Sequence, residues 1–338
     1  MQPKVLVIGG AGYIGSYTAW LLARRGYDVV VLDALLQGQQ FPYTWAEFVY
    51  GDYGDAQLLE RIFTTHTITA VVHFGAFICV GESVQQPLVY YENNVAKTMV
   101  LLRAMVQHAC KQFIFSSSCA VYGIPQTVPL KEDHPCNPIS PYGSTKLMIE
   151  QMLYDAARAY DMRYVALRYF NAAGALAHEG LGERHIPETH SIPLLLNAAR
   201  TGKPFFIFGT DYATPDGTCI RDYIHIHDLA DAHHKALIHL ERGHPSDIFN
   251  LGTGVGCSVK ELIAVVQKIT GSTIVTIPTA RRSGDPAVLV ADPAKANMLL
   301  QWKAYYTDMH TIVQSAWQFE QLYNPLTLPI DTQQKSPY

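Results

Sequence analysis

The chain has 338 residues, 49% of them hydrophobic and 16% charged, enough for one large two-part domain or two modest ones with real cores. A formal net charge of −4 leaves no broad basic surface and argues against general nucleic-acid binding. No apolar run reaches the roughly 18 residues of a membrane span, and Val5-Leu6-Val7-Ile8 follows the first residues without the basic region and cleavage site of a signal peptide.

The first half alternates short apolar runs with longer amphipathic ones. In chain order, Val5–Ile8 reads as a strand, Ile14–Arg24 as a helix and Val29–Leu32 as a strand. A third strand is expected to end near Tyr50. Ala56–Thr65 (helix), Ala70–His73 (strand), Val95–His108 (helix), Gln112–Phe115 (strand), Tyr142–Tyr160 (helix) and Tyr164–Leu167 (strand) continue the rhythm. Runs of Val and Ile suit strands buried on both faces. The expected fold is therefore α/β, a Rossmann-like doubly wound parallel sheet over residues 1–172 with a smaller α/β substrate-binding lobe over 173–330. Beyond about residue 172 Gly, Pro and His become frequent, and the long loops Gly174–Pro193 and Gly209–Gly217 are expected to close over a ligand. Asp247–Leu251 reads as a strand, so the segment 222–256 is expected to return to the first lobe. The tail after Asn324, rich in Pro and Gln, reads as loosely held.

Gly9-Gly10-Ala11-Gly12-Tyr13-Ile14-Gly15 lies directly between the first strand and the first helix. Glycines 9, 12 and 15 permit a tight turn, close backbone approach to a pyrophosphate, and tight helix–strand packing. The helix N-terminus adds free N–H groups and a positive dipole end. With the correct context on both sides, the pattern predicts a dinucleotide site. Asp33 ends the second strand, where a carboxylate accepts from a ribose 2′-hydroxyl and repels a 2′-phosphate, so NAD is expected rather than NADP. Asp52, after the third strand, is placed to reach the adenine.

The fifth strand runs into Ser116-Ser117-Ser118, and Tyr142-Gly143-Ser144-Thr145-Lys146 opens a helix. Tyr142 and Lys146 are spaced i and i+4 and so share a helical face. A phenol with a reference pKa near 10 is a poor base at neutral pH, and a neighbouring ammonium is expected to favour phenolate. Ser118 at the strand tip is expected near the same spot. The six cysteines (Cys79, Cys110, Cys119, Cys136, Cys219 and Cys257) form no C-x-x-C pair and read as thiols of a reducing compartment, so a cytoplasmic location is expected. His225 with His227, and His233 with His234, lack matching Cys or carboxylate spacing, and no metal is expected.

On these residues the chain resembles the extended short-chain dehydrogenase/reductase superfamily, and within it the UDP-galactose 4-epimerases. The resemblance spans essentially the whole chain through Gly9–Gly15, Val80–Val84, Tyr90–Val95, Ser116–Gly123, Ser140–Lys146, Leu167–Gly174, Asp216–His225 and Asn250–Gly256. It implies inversion of C4 in UDP-glucose and UDP-galactose through a 4-keto sugar. Tyr142 would take the O4 proton as the C4 hydride passes to NAD, Ser118 would hydrogen-bond O4, and Lys146 would hold the nicotinamide ribose. The 4-keto sugar would then turn about its pyrophosphate linkage and take the hydride back on its other face.

The resemblance also assigns Phe74, Ala76, Asn93 and Phe170 to the cofactor, with Gly9, Gly12, Tyr13, Ile14, Gly15, Asp33 and Asp52. To the UDP-sugar it assigns Asn171, Arg221, Arg282, Asp285 and Leu289, the last at a position that gates the sugar pocket. Leucine there is smaller than the tyrosine that restricts some members, so N-acetylated sugars are an alternative substrate class, as are pentose nucleotides. The family further implies a homodimer, with Val95–His108 and Tyr142–Tyr160 as its interface. A 4,6-dehydratase would need an acidic pair where this chain has Cys119-Ala120. A non-catalytic NAD-sensing protein would not need intact Ser118, Tyr142 and Lys146.

Overall fold

The computed structural model describes residues 3–36, 43–282 and 284–323. Six parallel strands come from the first half: β1 (Lys4–Ile8), β2 (Asp28–Asp33), β3 (Glu47–Tyr50), β4 (Ile68–His73), β5 (Gln112–Ser118) and β6 (Arg163–Tyr169). Later strands are β7 (Asn171–Ala173), β8 (Phe205–Phe208), β9 (Ile220–His225) and β10 (Asp247–Leu251), the last pairing with β6. The sheet order is β3-β2-β1-β4-β5-β6-β10, so the order reverses between β1 and β4. A doubly wound sheet opens a crevice at the strand C-termini at such a reversal.

Period-two alternation decides what each sheet face buries. Leu6, Ile8, Val30, Leu32 and Phe113 pack against α2 (Ala56–Thr65), α5 (Lys97–Gln107) and α6 (Pro141–Tyr160). Val5, Val7, Val29, Val31 and Ile114 face the other way, onto α1 (Tyr13–Arg24) and α8 (Ile226–Glu241). Short helices α3 (Val80–Gln85) and α4 (Pro87–Tyr90) follow β4, and the helix expected over Val95–His108 begins two residues later, because Tyr91–Ala96 is a π-helical turn. Asn94 explains the local arrangement. Its amide accepts from Phe77 N (2.8 Å) and donates to Phe77 O (3.0 Å) and Thr145 Oγ1 (3.1 Å), tying the turn to the loop after β4 and to α6.

The second lobe holds β11 (Gly256–Ser258), β9 and β13 (Val288–Leu289) in one small sheet with β7 on β9, and β8 beside β12 (Thr276–Thr279) in another. Helices α7 (Ser191–Thr201), α9 (Val259–Thr270) and α11 (Met309–Leu322) bury Ile192, Leu195, Leu262, Val266, Ile312 and Val313 against it, whereas α10 (Ala294–Leu299) buries Ala296 in the core around β10. No described helix is long and apolar enough to cross a membrane. The tail after Asn324 lies outside the described residues.

Candidate active site

The turn after β1 is built by its glycines. Gly9 has φ +74°, and a Cβ there would meet Gly75 N at 2.7 Å; a Cβ on Gly15 would meet Gly9 O at 2.2 Å. The chain can therefore pass close to β4 and enter α1 only without side chains. Gly12 caps α1 with no side-chain hydrogen bond, leaving the first-turn amides directed at the crevice. Asp33 accepts from Ala11 N (3.0 Å) and Leu35 N (2.8 Å), which fixes its carboxylate beside the glycine turn, and burial raises its pKa. Asp52 accepts from Gly54 N (2.7 Å) and pairs with Lys97 at 2.5 Å.

Ser140 starts α6 by accepting from Gly143 N (3.2 Å), with Pro141 in the first turn, so Tyr142 stands at the helix mouth and Lys146 one turn inside. At the tip of β5 the strand alternation points Ser117 to Glu150 (2.5 Å) and leaves Ser118 on the other side. Ser118 Oγ accepts from Ala120 N at 3.2 Å. Lys146 Nζ donates to Ser116 O at 2.7 Å, lies 5.0 Å from the Phe115 ring centroid and 5.8 Å from that of Tyr142.

The electrostatics differ from the expectation of an acidified phenol. Burial pushes the Tyr142 hydroxyl up to about 12, with the Ser118 hydrogen bond pulling it down. Burial also pulls the Lys146 ammonium down to about 7, against the attraction of Glu150. The chain's own groups hold a neutral phenol beside an easily deprotonated amine, because removal from water outweighs the Ser118 hydrogen bond on one and the Glu150 attraction on the other.

The glycine turn, Asp33, Asp52, Ser118, Tyr142 and Lys146 line one cavity of about 1020 Å³ between the two lobes. Gly9, Gly12, Tyr13, Ile14, Gly15, Asp33, Asp52, Phe74, Ala76 and Asn93 lie on the side of the first lobe. Ser118, Tyr142, Lys146 and Phe170 stand at the middle, and Asn171, Arg221, Arg282, Asp285 and Leu289 line the second-lobe side. Arg221 and Asp285 pair with one another, and Arg221 also donates to Ile220 O at 2.7 Å. The Arg282 guanidinium stacks 4.0 Å above the Phe208 ring. Leu289 is half-buried beside Phe170 and Ala291. Glycine cradle, helix end and buried carboxylate fit a dinucleotide, and the two arginines offer planar forks for phosphate.

Other lining residues have no motif to announce them. Phe206 and Phe208 reach the cavity through the alternation of β8, whose Phe205 and Ile207 point into the core. That period-two pattern was the available signal. Glu183, His185, Glu188 and His190 also line it, gathered by the loop before α7. The histidine pairs weighed in the sequence are tied up internally. His225 accepts from His227 N (3.0 Å), and His233 Nδ1 bonds Leu229 O (2.8 Å).

Residues 5–252 match the model of the NAD dependent epimerase/dehydratase family. The chain belongs to that family. It is 49% identical over 314 residues to a UDP-glucose 4-epimerase of Halalkalibacterium halodurans, covering 93% of this chain and 94% of the relative. The structure of UDP-glucose 4-epimerase from Brucella ovis in complex with NAD superposes with a TM-score of 0.90 at 48% identity, covering 94% of this chain and 98% of the other. The UDP-Glc/GlcNAc 4-epimerase of Campylobacter jejuni superposes at 0.83 with 40% identity, covering 94% and 99%. Within the family, the fold is the mixed α/β arrangement with a central parallel sheet of seven strands.

Proposed function

We propose that this chain is an NAD-dependent 4-epimerase that interconverts UDP-glucose and UDP-galactose. The observation that carries this reading is the meeting, in one cavity, of a glycine cradle for a dinucleotide, the Ser118–Tyr142–Lys146 cluster, and two arginines on the far wall. Epimerase relatives at this level of identity support it. When bound, NAD supplies hydride acceptance and donation at its nicotinamide ring and, when oxidised, a positive charge.

The residues have separate tasks. Tyr142 Oη takes the proton from O4 as C4 is oxidised and returns it after the sugar has turned. Ser118 Oγ holds O4 in line with that phenol. Lys146, already committed to Ser116 O, holds the ribose hydroxyls and favours phenolate when protonated. Arg221 and Arg282 hold the diphosphate and Asp285 the uridine ribose, so the sugar can rotate about its linkage while the nucleotide end stays fixed. Asn171 contacts the pyrophosphate or sugar, and Leu289 bounds the sugar pocket. Residues 1–172 with the returning segment 222–256 would form the NAD lobe, and 173–330 the UDP-sugar lobe. Six free thiols suit the cytoplasm. A homodimer through α5 and α6 is supported by Met99, Met148 and Tyr154, which those helices expose.

Purified protein incubated with UDP-galactose and no added NAD is expected to form UDP-glucose, reaching the same ratio from either sugar. Tyr142→Phe is expected to cut turnover by about 10²–10⁴ while keeping its NAD, as loss of a general acid–base does. No conversion by the wild type, with NAD supplied, would reject both sugars.

A further inference from the structure

The loop between β7 and α7 carries four side chains in eight residues: Glu183, His185, Glu188 and His190. Each turns a donor atom inward, and the four atoms lie within 4.8 Å of one another. His185 Nδ1 is 3.0 Å from Glu183 Oε1, and His190 Nδ1 bonds the same oxygen. Glu188 stands across from them, its carboxylate 4.0 Å from His185 Nδ1 and 3.8 Å from His190 Nδ1. We propose that these four residues form a zinc site, which pins the loop and the start of α7 to the wall of the cavity.

Geometry comes first. Zinc bonds of about 2.0–2.2 Å to imidazole nitrogen and carboxylate oxygen place tetrahedral donors about 3.3–3.6 Å apart. The His185–Glu183 and Glu188–histidine separations of 3.0, 3.8 and 4.0 Å bracket that range, while the shorter His190–Glu183 hydrogen bond would have to open as the ion enters. The donor set favours zinc over magnesium or calcium, which prefer all-oxygen shells.

Burial of the two acids is consistent with a cation between them. Two carboxylates face each other here with little access to water, side-chain exposures being 8% for Glu183 and 20% for Glu188. A dication would offset both acids. Thr189 N (2.7 Å) and His190 N (2.8 Å) donate to Glu188 Oε1, which orients the carboxylate as outer-shell bonds do around a metal. Its Oε2 accepts no hydrogen bond from the described residues.

The placement assigns the ion a task. His190 is the N-cap residue of α7, whose Ser191, Ile192, Leu194 and Asn197 line the cavity. On the opposite side Tyr13 of α1 meets the His185 ring edge-on at 6.3 Å, and its hydroxyl donates to Gly174 O at 2.6 Å. The ion would join the glycine-turn helix to the second lobe.

The test uses the full chain without a polyhistidine tag, stripped by EDTA and titrated with zinc against a chromogenic chelator. One zinc per chain is expected, with a rise in thermal midpoint on loading and a fall on chelation. His185→Ala and Glu183→Gln are expected to lose the ion, and His310→Ala, on α11, to keep it. X-ray absorption of the loaded wild type should report imidazole and oxygen neighbours without sulfur, which decides the matter even if both variants fail to fold. Fewer than about one zinc in five chains at saturation, sulfur in the shell, or unaltered binding in folded variants overturns the proposal and leaves a hydrogen-bonded His–Glu cluster.

Discussion

Tyr142 and Lys146 occupy a site where burial governs the ionisation of both. The phenol stands near 12 and the amine near 7, each driven toward its neutral form by removal from water. The i and i+4 spacing was readable in the sequence, but the direction of the shifts was not. It follows from Phe115 and from the enclosure of Lys146 against Ser116 O, both products of the folded strand tip. Leu289 acts at the same scale. It bounds the proposed sugar pocket with a half-buried side chain, and a larger ring there would take the room an N-acetyl group needs. Leu289→Tyr is expected to lower turnover of UDP-GlcNAc relative to UDP-glucose by about tenfold or more, since a steric clash discriminates more strongly than a missing contact. An unchanged ratio in competition assays would remove Leu289 from the specificity account.

Between elements, α6 is fastened to the sheet by charge as well as by Ile149 and Leu153. Arg168 of β6 donates to both oxygens of Glu150 on α6, at 2.9 and 2.5 Å, with each side chain only 4% exposed. Ser117 adds a bond to the same carboxylate (2.5 Å), and Tyr122 accepts from Arg168 at 3.0 Å. This network sets the helix that carries Tyr142 and Lys146. Glu150→Leu is expected to cost about 3–5 kcal/mol in denaturant unfolding, because it strands a buried guanidinium, while Glu150→Met with Arg168→Met loses less. Equal losses in the single and double variants would contradict the pairing.

Strand and helix ranges were legible at this scale because both periodicities are strong: Val5–Ile8, Ala56–Thr65 and Asp247–Leu251 each sit within an observed element of the same kind or coincide with it. The π-helical turn at Tyr91–Ala96 was not, since it depends on Asn94 reaching Phe77 and Thr145. The glycine turn and the Tyr–Lys helix were found by local motif. Glu183, His185, Glu188 and His190 escaped because the contacts that turn their donor atoms together appear only in the folded loop.

The whole molecule carries a charge penalty on its acid side. Burial lowers His225 to about 3 and His233 to about 4. Their ordinary value is about 6.5, so below it the unfolded chain takes up protons that the folded chain refuses. Stability is therefore present above about pH 6.5 and falls as pH drops through the window toward 4, by up to about 1.36 kcal/mol per pH unit for each histidine. Thermal midpoints should decline from pH 7 to pH 5, and His233→Phe should make that decline shallower. A parallel decline in variant and wild type would show that His233 is not the cause.

The two lobes meet around a cavity that gathers the glycine turn, Ser118, Tyr142 and Lys146, and the arginines Arg221 and Arg282 in one place. The central claim is that the hydrogen leaving C4 returns to C4 of the same sugar. UDP-galactose bearing deuterium at C4, incubated with the protein in ordinary water, tests it by mass spectrometry and NMR of the UDP-glucose formed. The account predicts that the deuterium is retained at C4. Its replacement by solvent hydrogen would mean proton abstraction in place of hydride transfer, and would contradict the reading of Ser118, Tyr142 and Lys146.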